Sequence, residues 1–397
     1  MSNLVVTELG NTLVAAGYQE GSPLWFECRR IDEVSILGNI YVGKVMNIVK
    51  NIQAAFVQIA DGIICYYSLK ENPNPVYIKK IGKSELVQGD EILVQVEKEA
   101  LKTKDPVASS NLNIPGKYMA LTTGNQKIGI SSKISHEKKQ KLKSFFSTLD
   151  LKGNGIVVRT NAATASEEVL QKEFDFLMQR LQKIKENAIH RTSFSLLYKA
   201  DSFYLQQLRN SYTGELDKII TDVKSVYTEM EEYLSVYQPE DKGRLTFYED
   251  KNLSLASLYN ITRDLERALQ PQVWMKSGAY LVIEPTEACT VIDVNTGKCD
   301  SKRKDRQKTF LKINLEAAKE VANQIKLRNL SGIILVDFID LEQEEDRATL
   351  MHELHELLKK DAIPTNLVDM TKLQLVEITR KKQKKPLHEQ ITLRDVR

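Results

Sequence analysis

The chain has 397 residues, 42% of them hydrophobic and 27% charged, enough for two to four domains with ordinary cores. Its 56 basic side chains nearly balance 53 acidic ones, so the net charge of +3 identifies no partner by itself. No run approaches the roughly 20 apolar residues of a membrane span. The opening MSNLVVTELG lacks the basic flank and apolar stretch of an export signal, and Cys28, Cys65, Cys289 and Cys299 form no C-x-x-C pair, so a reduced, cytoplasmic setting is expected.

Residues 1–35 alternate as short strands over 3–7, 12–16 and 24–28, too little to bury a core alone. Residues 36–110 read as a small closed β-barrel, with strands in 38–45, 54–59, 63–69 and 91–96 and turns at Gly62 and 86–90. The stretch 104–132 is rich in strands and loops, and 155–159 (GIVVR) is a strand ending in polar residues. Ser166 and two glutamates then open a helix whose stripe is Leu170, Phe174, Leu177, Leu181 and Ile184. Residues 197–268 mix strands and helices, with strands over 195–198 and 245–248.

The last unit begins with a hairpin of strands over 279–283 and 289–294. A helix over 309–329 follows, with Leu311, Leu315, Ala318, Ala322 and Ile325 on one face, and Gly332 permits the turn into a strand over 333–340 (IILVDFID). A strand–helix–strand unit closes onto parallel strands, and ligands bind beyond the carboxyl ends of such strands. Asp293 and Asp337 would meet there, within reach of one hard cation. Each could equally cap its strand end through a backbone hydrogen bond. The segment 298–312 carries seven Lys or Arg against two Asp, including the run Lys302, Arg303, Lys304. That run reads either as a solvated loop or as a phosphate-binding surface. His352 and His355 share a helical face in MHELHELLKK, but the order is not H-E-x-x-H; an amphipathic helix burying Leu350, Leu354, Leu357 and Leu358 with solvated histidines is expected. The tail after Leu375 is basic, with five positive residues in 380–385.

The segments 277–297 (SGAYLVIEPTEACTVIDVNTG) and 313–340 (INLEAAKEVANQIKLRNLSGIILVDFID) closely resemble the ribonuclease E/G family. The likeness continues through 373–380 (LQLVEITR) and back through GNIYVGKV and AAFVQIADG in the barrel and IVVRT at 156–160. The resemblance implies a multidomain α/β and β chain with four parts. These are a ribonuclease-H-like subdomain (1–35 plus 204–268), an OB-fold RNA-binding barrel (36–110), a 5′-sensor region (111–203) and a deoxyribonuclease-I-like α/β catalytic domain with the basic tail (269–397). It implies an endoribonuclease that cuts single-stranded RNA with magnesium, manganese being the alternative ion. The products would carry 5′-monophosphate and 3′-hydroxyl ends, in rRNA and tRNA processing and mRNA decay.

Residue by residue, the resemblance makes Asp293 and Asp337 the metal-binding aspartates and Asn295, two residues on and on the same face, a donor to the scissile phosphate. Asp340, three residues after Asp337, would face away on a continuing strand and make a structural hydrogen bond. Phe56 and Tyr66 match aromatic positions on the family's barrel, with Tyr66 replacing phenylalanine, and Lys104 matches a basic position beside them. Arg159 and Thr160 match a 5′-monophosphate sensor, with Gly116 and Ala120 at the pocket backbone. Beyond Tyr66, the chain departs from the family in four places. It ends without the Cys-containing zinc link, so a homodimer would use a non-zinc interface; the loop after Gly297 is more basic than usual; Lys276 replaces a common proline; and Ser132 and Lys133 replace arginines near the sensor. The competing readings are a non-catalytic RNA-binding protein of the same fold and a deoxyribonuclease.

Overall fold

The computed structural model describes residues 2–83, 85–100, 104–211, 216–297 and 306–396. The chain folds as two compact units, one formed by residues 1–33 with 214–397 and the other by 34–213.

The first unit holds two sheets. Ser2–Leu9, Thr12–Gln19 and Ser22–Arg30 form an antiparallel meander, and Leu216–Thr221 then Leu245–Phe247 extend it in parallel from Ser2–Leu9. Its core takes Val5, Val14, Tyr18 and Phe26 from the strands, with Leu387, Ile391 and Val396 from the chain's far end. The tail is therefore docked beyond the exposed Lys381 and Lys382. Lys384 pairs with buried Glu27 at 2.6 Å, and the Gln390 carboxamide oxygen accepts from the Cys28 N–H at 2.8 Å.

The second sheet has six strands in the order Gln272–Trp274, Tyr280–Pro285, Cys289–Asn295, Gly332–Asp337, Leu375–Arg380, Thr365–Met370. Gln272–Trp274 was not legible as a strand: three residues are too few to display a two-residue period. Cys289–Asn295 and Gly332–Asp337 are parallel, as the strand–helix–strand reading requires, and the others pair antiparallel. Alternation gives the sheet two unlike faces. Ile292, Val294, Ile334 and Val336 pack under the helices Arg306–Leu327 and Glu344–Leu358, whereas Val291, Asp293, Ile333 and Asp337 lie on the more open side.

The helix Arg306–Leu327 buries Ile313, Ala317, Ala318, Val321, Ala322 and Ile325, so its contact face is turned from the expected one and Leu311 and Leu315 sit at its margin. In Glu344–Leu358 the buried residues are Leu350, Leu354 and Leu358, Leu357 is partly buried, and His352 and His355 are exposed.

In the second unit five strands close a barrel. Ile40–Val49 pairs with Ala54–Ala60 on one side and Glu91–Lys98 on the other, and Ile63–Ser68 and Val107–Ser109 complete the ring. This OB-like closure leaves the barrel strands without free edges. Its interior takes Val45, Val57, Ile59, Cys65, Tyr67, Ile92 and Val94. A second sheet, Asn113–Pro115, Met119–Thr122, Gly155–Val158 and Ile128–Ile130, lies against the helix Glu167–Ile189. The Ser166 side chain caps that helix by accepting from the Val169 N–H, and the predicted stripe Leu170, Phe174, Leu177, Leu181 and Ile184 is buried.

Candidate functional site

The sequence puts the two aspartates at strand ends, and parallel pairing puts them side by side. Asp293 and Asp337 are direct register partners across the central strands. Strands in a ladder lie about 4.8 Å apart, so the two carboxylates project from adjacent points on one face. Burial and the charges of Asp293 and Asp340 push the Asp337 carboxyl above the usual carboxylate range. Like charges crowded in this way resist joint ionisation. Asn295, two residues along the same strand, donates from Nδ2 to Asp293 Oδ2 at 2.6 Å, fixing the orientation of that carboxylate.

Asp340 departs from expectation. The strand stops at Asp337, three residues short of the predicted end, so Asp340 is exposed and its charge reaches Asp337. The cause is a residue the sequence reading passed over. Buried Asn314, on Arg306–Leu327, donates to the Ile339 carbonyl at 2.7 Å and accepts from the Ile339 N–H at 3.1 Å. Both main-chain groups of Ile339 are thus taken from any ladder, and the strand ends before it. Gly297 fixes the other side. It has φ +60, and a Cβ there would come within 2.2 Å of the Gly278 carbonyl oxygen, so the loop after the first aspartate lies tight on the turn before Tyr280–Pro285.

The donor set suits a hard divalent cation. Among the described residues no group of three or more His, Cys, Asp or Glu side chains is arranged to hold a metal. A pair of carboxylates is nevertheless what magnesium uses when water and a substrate phosphate fill the remaining positions. The mutual repulsion that raises Asp337 is what a dication would relieve. Lys302, Arg303 and Lys304 lie outside the described residues.

In the other unit, Phe56 and Tyr66 are register partners on adjacent barrel strands. Both are half-buried while their neighbours Val57 and Cys65 are fully inside, so the two rings lie on the outer surface rather than in the core. They meet edge to face with centroids 6.4 Å apart. Lys104 is exposed on the segment entering Val107–Ser109, where the Pro106 carbonyl accepts from the Tyr66 N–H at 2.8 Å.

The residues expected to form a 5′-end sensor also converge. Arg159 follows the strand Gly155–Val158, and its Nη1 donates to the Gly116 carbonyl at 3.1 Å and to Asn210 Oδ1 at 3.0 Å. Thr160 Oγ1 lies 2.9 Å from Ser131 Oγ. Ala120 pairs with Val157 and Pro115 within the same sheet. A residue that no motif singled out organises this cluster. The Glu173 carboxylate accepts from the backbone N–H groups of Lys117, Tyr118 and Met119 at 2.6–2.9 Å. Burial pushes its carboxyl up, against the pull of those donors and of Arg159. A Cβ at position 116 would come within 2.6–2.9 Å of that carboxylate and force it off its backbone donors.

The model of the Ribonuclease E/G family matches residues 113–383. Ribonuclease G of Haemophilus influenzae is 33% identical over 363 residues, covering 89% of this chain and 74% of that protein. Ribonuclease G of Escherichia coli K12 is 32% identical over 363 residues, with the same two shares, 89% and 74%. Ribonuclease E of a Synechocystis species is 31% identical over 392 residues, 95% of this chain but only 57% of its own length, so the chain spans little more than half of that longer relative.

Proposed function

The chain belongs to the ribonuclease E/G family, and on that footing we propose that it is a magnesium-dependent endoribonuclease acting on single-stranded RNA. The observation that carries this reading is the register pairing of Asp293 with Asp337 on one sheet face. The two aspartates would hold the ion, with manganese as the substitute. When bound, the ion would supply charge neutralisation at phosphorus and an activated water. Asn295 keeps Asp293 oriented through its 2.6 Å hydrogen bond, a role that supporting ligand contacts commonly play. The products would carry 5′-monophosphate and 3′-hydroxyl ends, and the tasks would be maturation of rRNA and tRNA and decay of mRNA.

Phe56 and Tyr66 would stack on bases, each stack worth roughly 1–3 kcal/mol, with Lys104 adding a phosphate contact. Arg159 and Thr160, with the backbone at Gly116 and Ala120, would recognise a 5′-monophosphate. Lys302, Arg303 and Lys304 would add sequence-independent phosphate attraction. The mixed five-stranded sheet and the six-stranded α/β sheet support the ribonuclease-H-like and deoxyribonuclease-I-like readings of the two parts of the first unit. No described helix is long and apolar enough to cross a membrane. The chain would work in the cytoplasm.

The test is cleavage of a fluorescent unpaired RNA with magnesium, with EDTA, and by Asp293→Asn. Metal-dependent cutting that the variant loses is the expected result. Binding without cutting would favour the non-catalytic reading, and equal competition by DNA would remove the preference for RNA.

A further inference from the structure

Resting on that hydrolytic reading, we propose that Trp274 is a stacking platform for an unpaired nucleobase of the RNA, adjoining the aspartate pair. Trp274 is 64% exposed, although an indole ordinarily contributes most when buried. It is nonetheless held in place. It ends the strand Gln272–Trp274, is the register partner of Tyr280, and packs on the Tyr280 ring with centroids 4.9 Å apart at 51°. Tyr280 is in turn the partner of Asn295. Trp274, Tyr280 and Asn295 therefore form one cross-strand row. The next row along the strands is Gln272, Val282, Asp293 and Asp337. Two strand spacings put the indole about 10 Å across the sheet from Asn295, and the rows are about 7 Å apart. A polynucleotide with a phosphate at the aspartates would have a neighbouring base within reach of the ring.

The surroundings favour RNA over a protein partner. On this face the indole's own row carries Tyr280 and Asn295, the adjoining row carries Gln272, Val282 and Asp293, and the exposed Lys276 follows in the turn. The exposed aliphatic side chains Val291 and Ile333 lie beyond the aspartate row from the indole, Val291 four residues back from Asn295 and Ile333, the partner of Cys289, six back in register. A rigid ring flanked by amide and ammonium groups matches a base with its phosphates, and stacking tolerates any base.

The chain has two tryptophans, Trp25 and Trp274, so fluorescence can isolate the second. With the full chain carrying Asp293→Asn to prevent turnover, an unpaired oligoribonucleotide should quench tryptophan emission saturably. Adding Trp274→Phe should abolish that quenching. In active protein Trp274→Ala should raise KM on the order of tenfold or more and leave kcat within about twofold, and Trp274→Phe should keep most of the affinity. The rate ratio between 5′-monophosphate and 5′-hydroxyl RNA should not move. An unchanged KM in Trp274→Ala, or a change confined to solution mass that assigns the ring to a second copy, would overturn the proposal. Failure of the unmodified chain to cut RNA at all would instead remove the hydrolytic reading beneath it.

Discussion

At the scale of single residues, the candidate site is held by short polar contacts, one local and others hidden by sequence distance. Asn295 bonds Asp293 two positions away, which period-two geometry anticipates. Asn295→Ala should lower kcat roughly 10–100-fold, the usual effect of removing a group that orients a metal ligand, while RNA affinity holds. A loss of affinity with kcat unchanged would assign the amide to substrate binding alone. Glu173 could not be read from the sequence, because its partners are main-chain N–H groups 54–56 residues away. If the sensor reading holds, Arg159→Ala narrows the rate difference between 5′-monophosphate and 5′-hydroxyl RNA, and Glu173→Ala narrows it too, because the turn over 116–119 loses its anchor. A ratio that survives Arg159→Ala removes the sensor. One that falls with Arg159→Ala but survives Glu173→Ala removes only the anchor.

At the scale of elements, the strongly periodic helix over 167–189 and even the short strands near 196 and 245 were legible, whereas a locally diverted strand end was not. The helix Glu167–Ile189 carries its predicted stripe because five apolar residues at helical spacing admit one buried face. The strand Gly332–Asp337 ends early because Asn314 captures Ile339, a tertiary contact that β-propensity in FID cannot register. Asn314→Ala should cost about 1–3 kcal/mol, since it leaves buried backbone groups without partners, and it should slow cleavage by loosening the segment after Asp337. Denaturant unfolding checks the first effect and steady-state rates the second. The end of Leu375–Arg380 rests on a buried pair. Arg380, 3% exposed in its side chain, bonds Asp361, 6% exposed, at 2.7 Å and also donates to Asn329 Oδ1 and the Leu330 carbonyl. Asp361→Ala should destabilise the first unit by about 3–5 kcal/mol, because it strands a buried guanidinium. A shift in urea midpoint equivalent to less than about 1 kcal/mol would contradict that.

At the scale of the whole molecule, the chain's two ends share one core. The basic run over 380–385 invites a solvated reading from composition. Yet Lys384 is paired with Glu27, and Leu387, Ile391 and Val396 are buried with the strands of residues 2–30. Charge runs reveal sign but not the partner, and Glu27 lies 357 positions away. Leu387→Ala should therefore cost about 2–5 kcal/mol and lower the thermal midpoint, although the residue is remote in sequence from the strands of residues 2–30. If the proposed reading holds, the ion site lies in the first unit and the barrel's aromatic pair in the second. Phe56→Ala and Tyr66→Ala should weaken RNA affinity while leaving divalent-ion binding intact.

The aspartate pair is the claim on which the rest depends, and it can be probed without RNA. Manganese binding to the full chain, followed by solvent-proton relaxation or titration calorimetry, should reveal one site in the unmodified protein. That site should be lost in both Asp293→Asn and Asp337→Asn and retained in Phe56→Ala. Undiminished manganese binding in either aspartate variant would contradict a shared cation site across the two strands.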